Sequence, residues 1–202
     1  GYTNKVSFDT FEGNTPADTA MFSYTLKTTT DGYKRTRFTR NYLCACSRDP
    51  SGSEALNWAM DSLVQDGDEL IIVRGFDPDE LGKYWQKQTH EDLREEARVL
   101  MKNAIARNSQ HEGRNLSVIV EFMAGRITET IDRLIALYRP DSLVVGTRGP
   151  RGMVKQWGAA LGAPGMGSVS RYAVSHSPVP VIVVQPERKI SKIMAKRKTD
   201  GK

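Results

Sequence analysis

Cysteine is almost absent: Cys44 and Cys46 are the only two in a chain of 202 residues. They lie two apart on a predicted strand, so they face the same side and are poorly placed for an unstrained disulfide. No Cys-x-x-Cys occurs, and the three histidines, His90, His111 and His176, are scattered, so no metal-ligand cluster of recognisable spacing emerges. No apolar run approaches the length of a membrane span, and no secretory pattern opens the sequence. A reducing, intracellular setting is the expectation, the cytoplasm first and the nucleus as the alternative. A Walker-type G-x-x-x-x-G-K-[ST] is also missing, which counts against a P-loop mechanism.

Charge of one sign does not dominate the body of the chain. The formal net charge is +5, but Arg188 to Lys202 holds seven basic residues and a single acidic one, Asp200, so this tail alone accounts for the surplus. The remainder is close to neutral. A tail of this kind, residues 187–202, is a candidate docking element for an acidic partner or a solvated terminus. With 39% apolar residues, the rest of the chain can bury one substantial core.

From Asn41 onward strands and helices alternate. Tyr42 to Cys46 reads as a short buried strand, and Asp49-Pro50-Ser51-Gly52 is turn chemistry leading into a helix. Ala55, Leu56, Ala59, Met60, Leu63 and Val64 form that helix's apolar stripe, and Gly67 ends it. Leu70 to Val73 is a continuous apolar run, the kind buried on both faces of a parallel sheet. A polar loop to about Gln88 precedes a second helix carrying Leu93, Ala97, Leu100, Met101, Ala104 and Ile105. Leu116 to Phe122 is a third strand, and a third helix with Ile127, Ile131, Leu134, Ile135 and Tyr138 stops at Pro140. Leu143 to Val145, Gly167 to His176 and Val181 to Val184 complete the pattern as strand, helix and strand. The fold class expected is α/β, a doubly wound five-stranded parallel sheet with right-handed crossovers.

Residues 1–40 differ in kind. Phe22, Tyr24 and Leu26 alternate with Ser23, Thr25 and Lys27 as one half-buried strand, and Lys34-Arg35-Thr36-Arg37 is a basic connector. This segment is either an added edge strand or an arm laid over a domain spanning 41–186.

Two glycine clusters stand where such a sheet holds its ligands. Gly146-Thr147-Arg148-Gly149 leaves the fourth strand, and Gly167-Ser168-Val169-Ser170 opens the fourth helix. Glycine lets backbone approach a ligand closely, and a helix start offers amides and a favourable dipole to an anion, so the pair reads as a phosphate cradle. Glycine and serine are also ordinary punctuation at these places. Asp49 and Asp77 sit near strand ends, where they could hold Mg²⁺ or water, or cap helices.

Gly125-Arg126-Ile127, Asp141 through Gly149, Gly167 through Ser170 and Ser177 through Val184 together resemble the universal stress protein (UspA-like) family, over roughly Asn41 to Pro186. Ala55-Leu56-Asn57-Trp58-Ala59 is similar to the family's first helix, and the N-terminal extension looks like its fungal branch. The resemblance implies a Rossmann-like fold of the adenine nucleotide alpha hydrolase (HUP) type. It implies that Gly146, Thr147, Arg148, Gly149, Gly167, Ser168, Val169 and Ser170 take the phosphates and ribose of ATP, with ADP or AMP as alternatives, and that the backbone at Gly75 meets the adenine. Ser47 stands where the ATP-binding branch carries an Asp, eleven residues before the Trp58 position, and Asp49 is its candidate replacement. The spacer Pro150 to Met166, with Arg151, Lys155 and Trp157, is longer than the family's spacer of about ten residues.

The resemblance also implies a homodimer paired through the fifth strand, unless the N-terminal strand covers that edge instead. No obvious general base or nucleophile is present, so the leading reading is an ATP-binding regulatory stress protein rather than an enzyme of rapid turnover. A slow nucleotide hydrolase and a nucleotide-free interaction module are the alternatives.

Overall fold

The structure, a computed structural model, describes residues 1–9, 23–76, 90–147, 167–186 and 190–191. Its strands are β1 (Tyr2–Asp9), β2 (Ser23–Thr30), β3 (Asn41–Ala45), β4 (Glu69–Phe76), β5 (Ser117–Ala124), β6 (Ser142–Gly146) and β7 (Val181–Val184). The helices are α1 (Pro50–Trp58), α2 (His90–Asn108), α3 (Ile127–Tyr138) and α4 (Ser168–His176), and α1 runs on into a π-helical turn at Ala59–Leu63. One seven-stranded sheet forms, in the order β1-β2-β5-β4-β3-β6-β7. From β5 to β7 every pairing is parallel, which is the doubly wound sheet that the alternation of elements predicts.

Strand alternation divides the core in two. Tyr42, Cys44, Leu70, Ile72 and Phe122 face α1 and α2, while Leu43, Ile71, Val73, Leu143 and Val145 face α3 and α4. The run Leu70 to Val73 is 0% exposed throughout, as a strand with helices on both faces must be. The α1 stripe also holds, with Ala55, Leu56, Ala59, Met60 and Val64 buried. Cys44 and Cys46 lie buried and free on one face, and desolvation pushes both thiols up, away from the reactive thiolate.

The N-terminal segment departs from the single half-buried strand expected. It supplies two strands, β1 being an addition that its polar sequence did not announce, and β2 is interior: it pairs antiparallel with β5 on one side and with β1 on the other. Tyr24 and Leu26 are buried as the alternation requires, but so is Thr25 on the opposite face. Thr25 is buried there because its hydroxyl donates to Glu121 Oε2 at 2.7 Å, and Glu121 also accepts from the Tyr138 hydroxyl of α3. Burial pushes the Glu121 carboxyl above the usual carboxylate range, against the effect of these two hydrogen bonds.

The basic connector is a latch rather than a free loop. Glu69, the first residue of β4, is 1% exposed and holds Lys27 Nζ at 3.0 Å and Arg35 Nη1 at 3.3 Å. Arg40 grips Asp68 through Nε at 3.0 Å and Nη2 at 2.7 Å. The hairpin therefore extends the β5 side of the sheet and leaves the β7 edge at the far end, so the N-terminal strand does not cover β7.

Candidate functional site

The strand order reverses between β3 and β6, which lie side by side while their chains continue to opposite edges. In sheets of this kind ligands lie at the carboxyl ends of the strands beside such a reversal, over the loops that leave them. Ser47, Asp49, Gly146, Thr147 and the start of α4 belong to these loops. Arg148, Gly149, the 150–166 spacer with Arg151, Lys155 and Trp157, and Asp77 lie outside the described residues.

Gly146 is required by packing within the protein. A Cβ on Gly146 would lie 2.3 Å from the Ser51 backbone oxygen and 2.8 Å from its carbonyl carbon, so the first turn of α1 rests directly on the end of β6. A Cβ on Gly75 would lie 2.8 Å from Ile127 Cδ1 at the start of α3. At Gly146 the close approach is thus made by the chain's own backbone, whereas at Gly75 the nearest atom is the flexible end of a side chain.

Asp49 caps α1. Its Oδ1 accepts from Ser51 N at 3.0 Å, Gly52 N at 3.1 Å, Ser51 Oγ at 2.6 Å and Ser47 Oγ at 2.8 Å. Burial works to raise this carboxyl, but the donors outweigh it and hold the group below the usual carboxylate range. The folded pKa being depressed, the cap stabilises fully above the unfolded value of about 3.9 and is lost as pH falls through the lower folded value. Asp49→Ala is expected to cost about 1 kcal/mol at neutral pH in urea denaturation. The cost should shrink towards zero in acid, whereas Asp49→Ser should retain most of the cap.

Thr147 is the anomaly of the site. It is 3% exposed, its amide donates to Val184 O at 3.0 Å, and its hydroxyl has no hydrogen-bond partner among the described residues. Nearby in the topology, α4 opens on Gly167, which has no side chain to cap the helix, and no acidic residue stands in the first turn. Ser168 is exposed, Val169 is half-buried, and Ser170 is buried with its hydroxyl donating to Gly167 O at 3.1 Å. An uncapped helix start with free amides receives anions.

Sequence reasoning missed a polar cluster on the other side of β3. Arg74 is largely buried, its Nε donating to Cys46 O at 2.9 Å and its Nη1 paired with Glu96 of α2. The same Glu96 accepts from Arg48 Nε at 3.0 Å and Nη2 at 2.6 Å, and Arg48 lies 5.1 Å over the Phe76 ring. The available signal was alternation, since Arg74 shares the buried face of Leu70 and Ile72. This network ties α2 to the ends of β3 and β4, where Ser47 begins the loop after β3.

A doubly wound sheet with its open loops at the strand-order reversal defines an α/β protein of the class that holds ligands over the carboxyl strand ends. The universal stress protein family model matches residues 39–185. The chain belongs to that family. It is 35% identical over 203 residues to the universal stress protein A family protein C25B2.10 of Schizosaccharomyces pombe, covering 98% of this chain and 61% of that relative's length. Solved structures of like fold include hypothetical protein MJ0577, at 19% identity and a TM-score of 0.54, which aligns over 73% of this chain and 96% of its own. The universal stress protein UspA from Lactobacillus plantarum has a TM-score of 0.52 at 19% identity, over 74% of this chain and 99% of its own. No helix among the described residues is long and apolar enough to cross a membrane.

Proposed function

We propose that this chain is a regulatory stress protein that binds ATP, or a close adenine-nucleotide relative, over the carboxyl ends of β3 and β6. The observation that carries the reading is the Thr147 hydroxyl, buried at the strand-order reversal and without a hydrogen-bond partner among the described residues. A buried polar group left unpaired costs about 1–3 kcal/mol, and a ligand oxygen or hydroxyl removes that cost. The uncapped start of α4 supports the same ligand class, since Ser168, Val169 and Ser170 offer amides where a phosphate is favoured. On this reading Arg148 and Gly149 complete the phosphate loop, Ser47 lies beside the ribose, and the β4 end at Gly75 meets the base. Mg²⁺, if used, accompanies the phosphates.

Calorimetry on nucleotide-stripped protein is expected to show binding of ATP, ADP or AMP, and Gly167→Val is expected to abolish it by steric exclusion. No heat at millimolar nucleotide, with or without Mg²⁺, would sink the reading. The nucleotide-free interaction module would then replace it. One observation favours that alternative: the acidic residue of the ATP-binding branch is replaced by Ser47, and Asp49 uses its Oδ1 to cap α1. Product analysis of bound ATP over time separates a binder from a slow hydrolase.

The same reading includes a homodimer through β7. Among the described residues no strand pairs with its outer edge, and Val181, Ile182 and Val183 are only half-buried. A two-fold pairing of β7 with its copy covers that edge. Light scattering at micromolar concentration is expected to give a dimer and Val183→Lys a monomer; a monomeric wild type would refute the assembly.

A further inference from the structure

The connector between β2 and β3 lies at the amino end of the parallel strands, opposite the candidate site. Its sequence, Lys34-Arg35-Thr36-Arg37-Phe38-Thr39-Arg40, sets two hydroxyls among four cations. Thr36 to Thr39 form a turn, with Thr39 N donating to Thr36 O at 3.2 Å. Thr39 is half-buried and its hydroxyl oxygen accepts from Thr36 N at 3.0 Å, whereas Thr36 is exposed and its hydroxyl oxygen accepts only from Phe38 N at 3.1 Å. Among the described residues the Thr36 hydroxyl proton therefore faces no competing partner. Phe38 is 75% exposed beneath the Arg37 guanidinium, and neither Lys34 nor Arg37 has an acidic partner among the described residues.

Arg35 is the residue through which a modification here reaches the fold. It is 60% exposed and reaches the buried Glu69 at 3.3 Å, a longer contact than that of Lys27 at 3.0 Å. We propose that Thr36 is a phosphoacceptor for a Ser/Thr kinase that selects basic residues around its acceptor, and that the phosphate takes Arg35 from Glu69. In the transfer, the Thr36 oxygen forms the new bond to the γ-phosphorus of the kinase's ATP as the bridging bond to ADP breaks. The hydroxyl proton passes to the kinase's base. The product carries about −1.5 to −2 charges one residue from Arg35 and one from Arg37. A guanidinium–phosphate pair, charge-assisted and bidentate, outcompetes a single long contact to a carboxylate. Glu69 is left with Lys27 alone, and the side-chain contact from the connector to β4 is released.

The test uses the full chain, radiolabelled ATP and a basophilic Ser/Thr kinase, with sites mapped by mass spectrometry. Label at Thr36 is expected, lost in Thr36→Val, restored in Thr36→Ser, and slowed at least tenfold in the double variant Arg35→Gln/Arg37→Gln. Undiminished label in Thr36→Val, or an unslowed double variant, would overturn the assignment. Hydrogen exchange is then compared between the phosphorylated and unmodified chain. Faster exchange at residues 31–41 and at the β2 end is expected on phosphorylation, and unchanged exchange would overturn the release of Arg35.

Discussion

A chain lacking residues 1–40 is expected to lose cooperative folding, although those residues lie almost wholly outside the stretch that matches the family. The deletion removes β1, β2 and the connector and makes β5 an edge strand. Tyr24, 1% exposed, and Leu26, 8% exposed, pack in the same core as Val118, Val120 and Phe122 of β5. Burying two such side chains contributes about 3–6 kcal/mol, and their loss also uncovers part of β5 and α2. A domain of ordinary stability has about 5–15 kcal/mol in total. The polar latch is the smaller part of the loss, because water reaches Glu69 and Glu121 once the hairpin is gone. Circular dichroism should show a broad or absent thermal transition for the truncated chain. A sharp transition within a few degrees of the full chain would show that the hairpin is an appendage after all.

The helical stripes were legible from their 3.6-residue period, and the apolar strands from short unbroken β-branched runs bounded by turn residues. Val181 to Val184 is the strand read from sequence, and Leu70 to Val73 is as fully buried as its unbroken apolar run requires. The hairpin was not legible for a physical reason. β2 is buried on both faces, yet one face is occupied by Thr25, whose burial depends on Glu121 almost a hundred residues away, and no local period encodes that pairing. Arg74 and Glu96 were hidden in the same way: each looks like surface until the sheet brings them together with Arg48. At the candidate site, the sequence marked the right loops but could not tell a glycine that admits a ligand from one that admits the chain's own backbone. Asp49 was similarly open between cap and ligand contact, and the four donors on its Oδ1 make it the cap of α1.

That ambiguity at Gly146 has an experimental resolution. If the residue is glycine so that a ligand can approach, Gly146→Ala should weaken nucleotide binding and leave stability untouched. The structure requires the opposite order of effects. The added methyl would sit 2.3 Å from a backbone oxygen and 2.8 Å from its carbon, and neither can rotate away as a side chain end would. An ordinary carbon contact needs about 3.5 Å or more, so α1 must move off β6 by more than an ångström. Overpacking of this kind costs about 1–3 kcal/mol for one methyl, and Gly146→Val, with two further carbons against the same turn, should cost more. Because Ser51 also donates to the Asp49 cap, the displacement passes to Ser47 and the loop after β3, and on the proposed reading nucleotide affinity falls as a consequence. Urea denaturation and calorimetry on the same two variants separate the cases: a stable Gly146→Ala protein that has lost only its nucleotide would return Gly146 to the ligand's side.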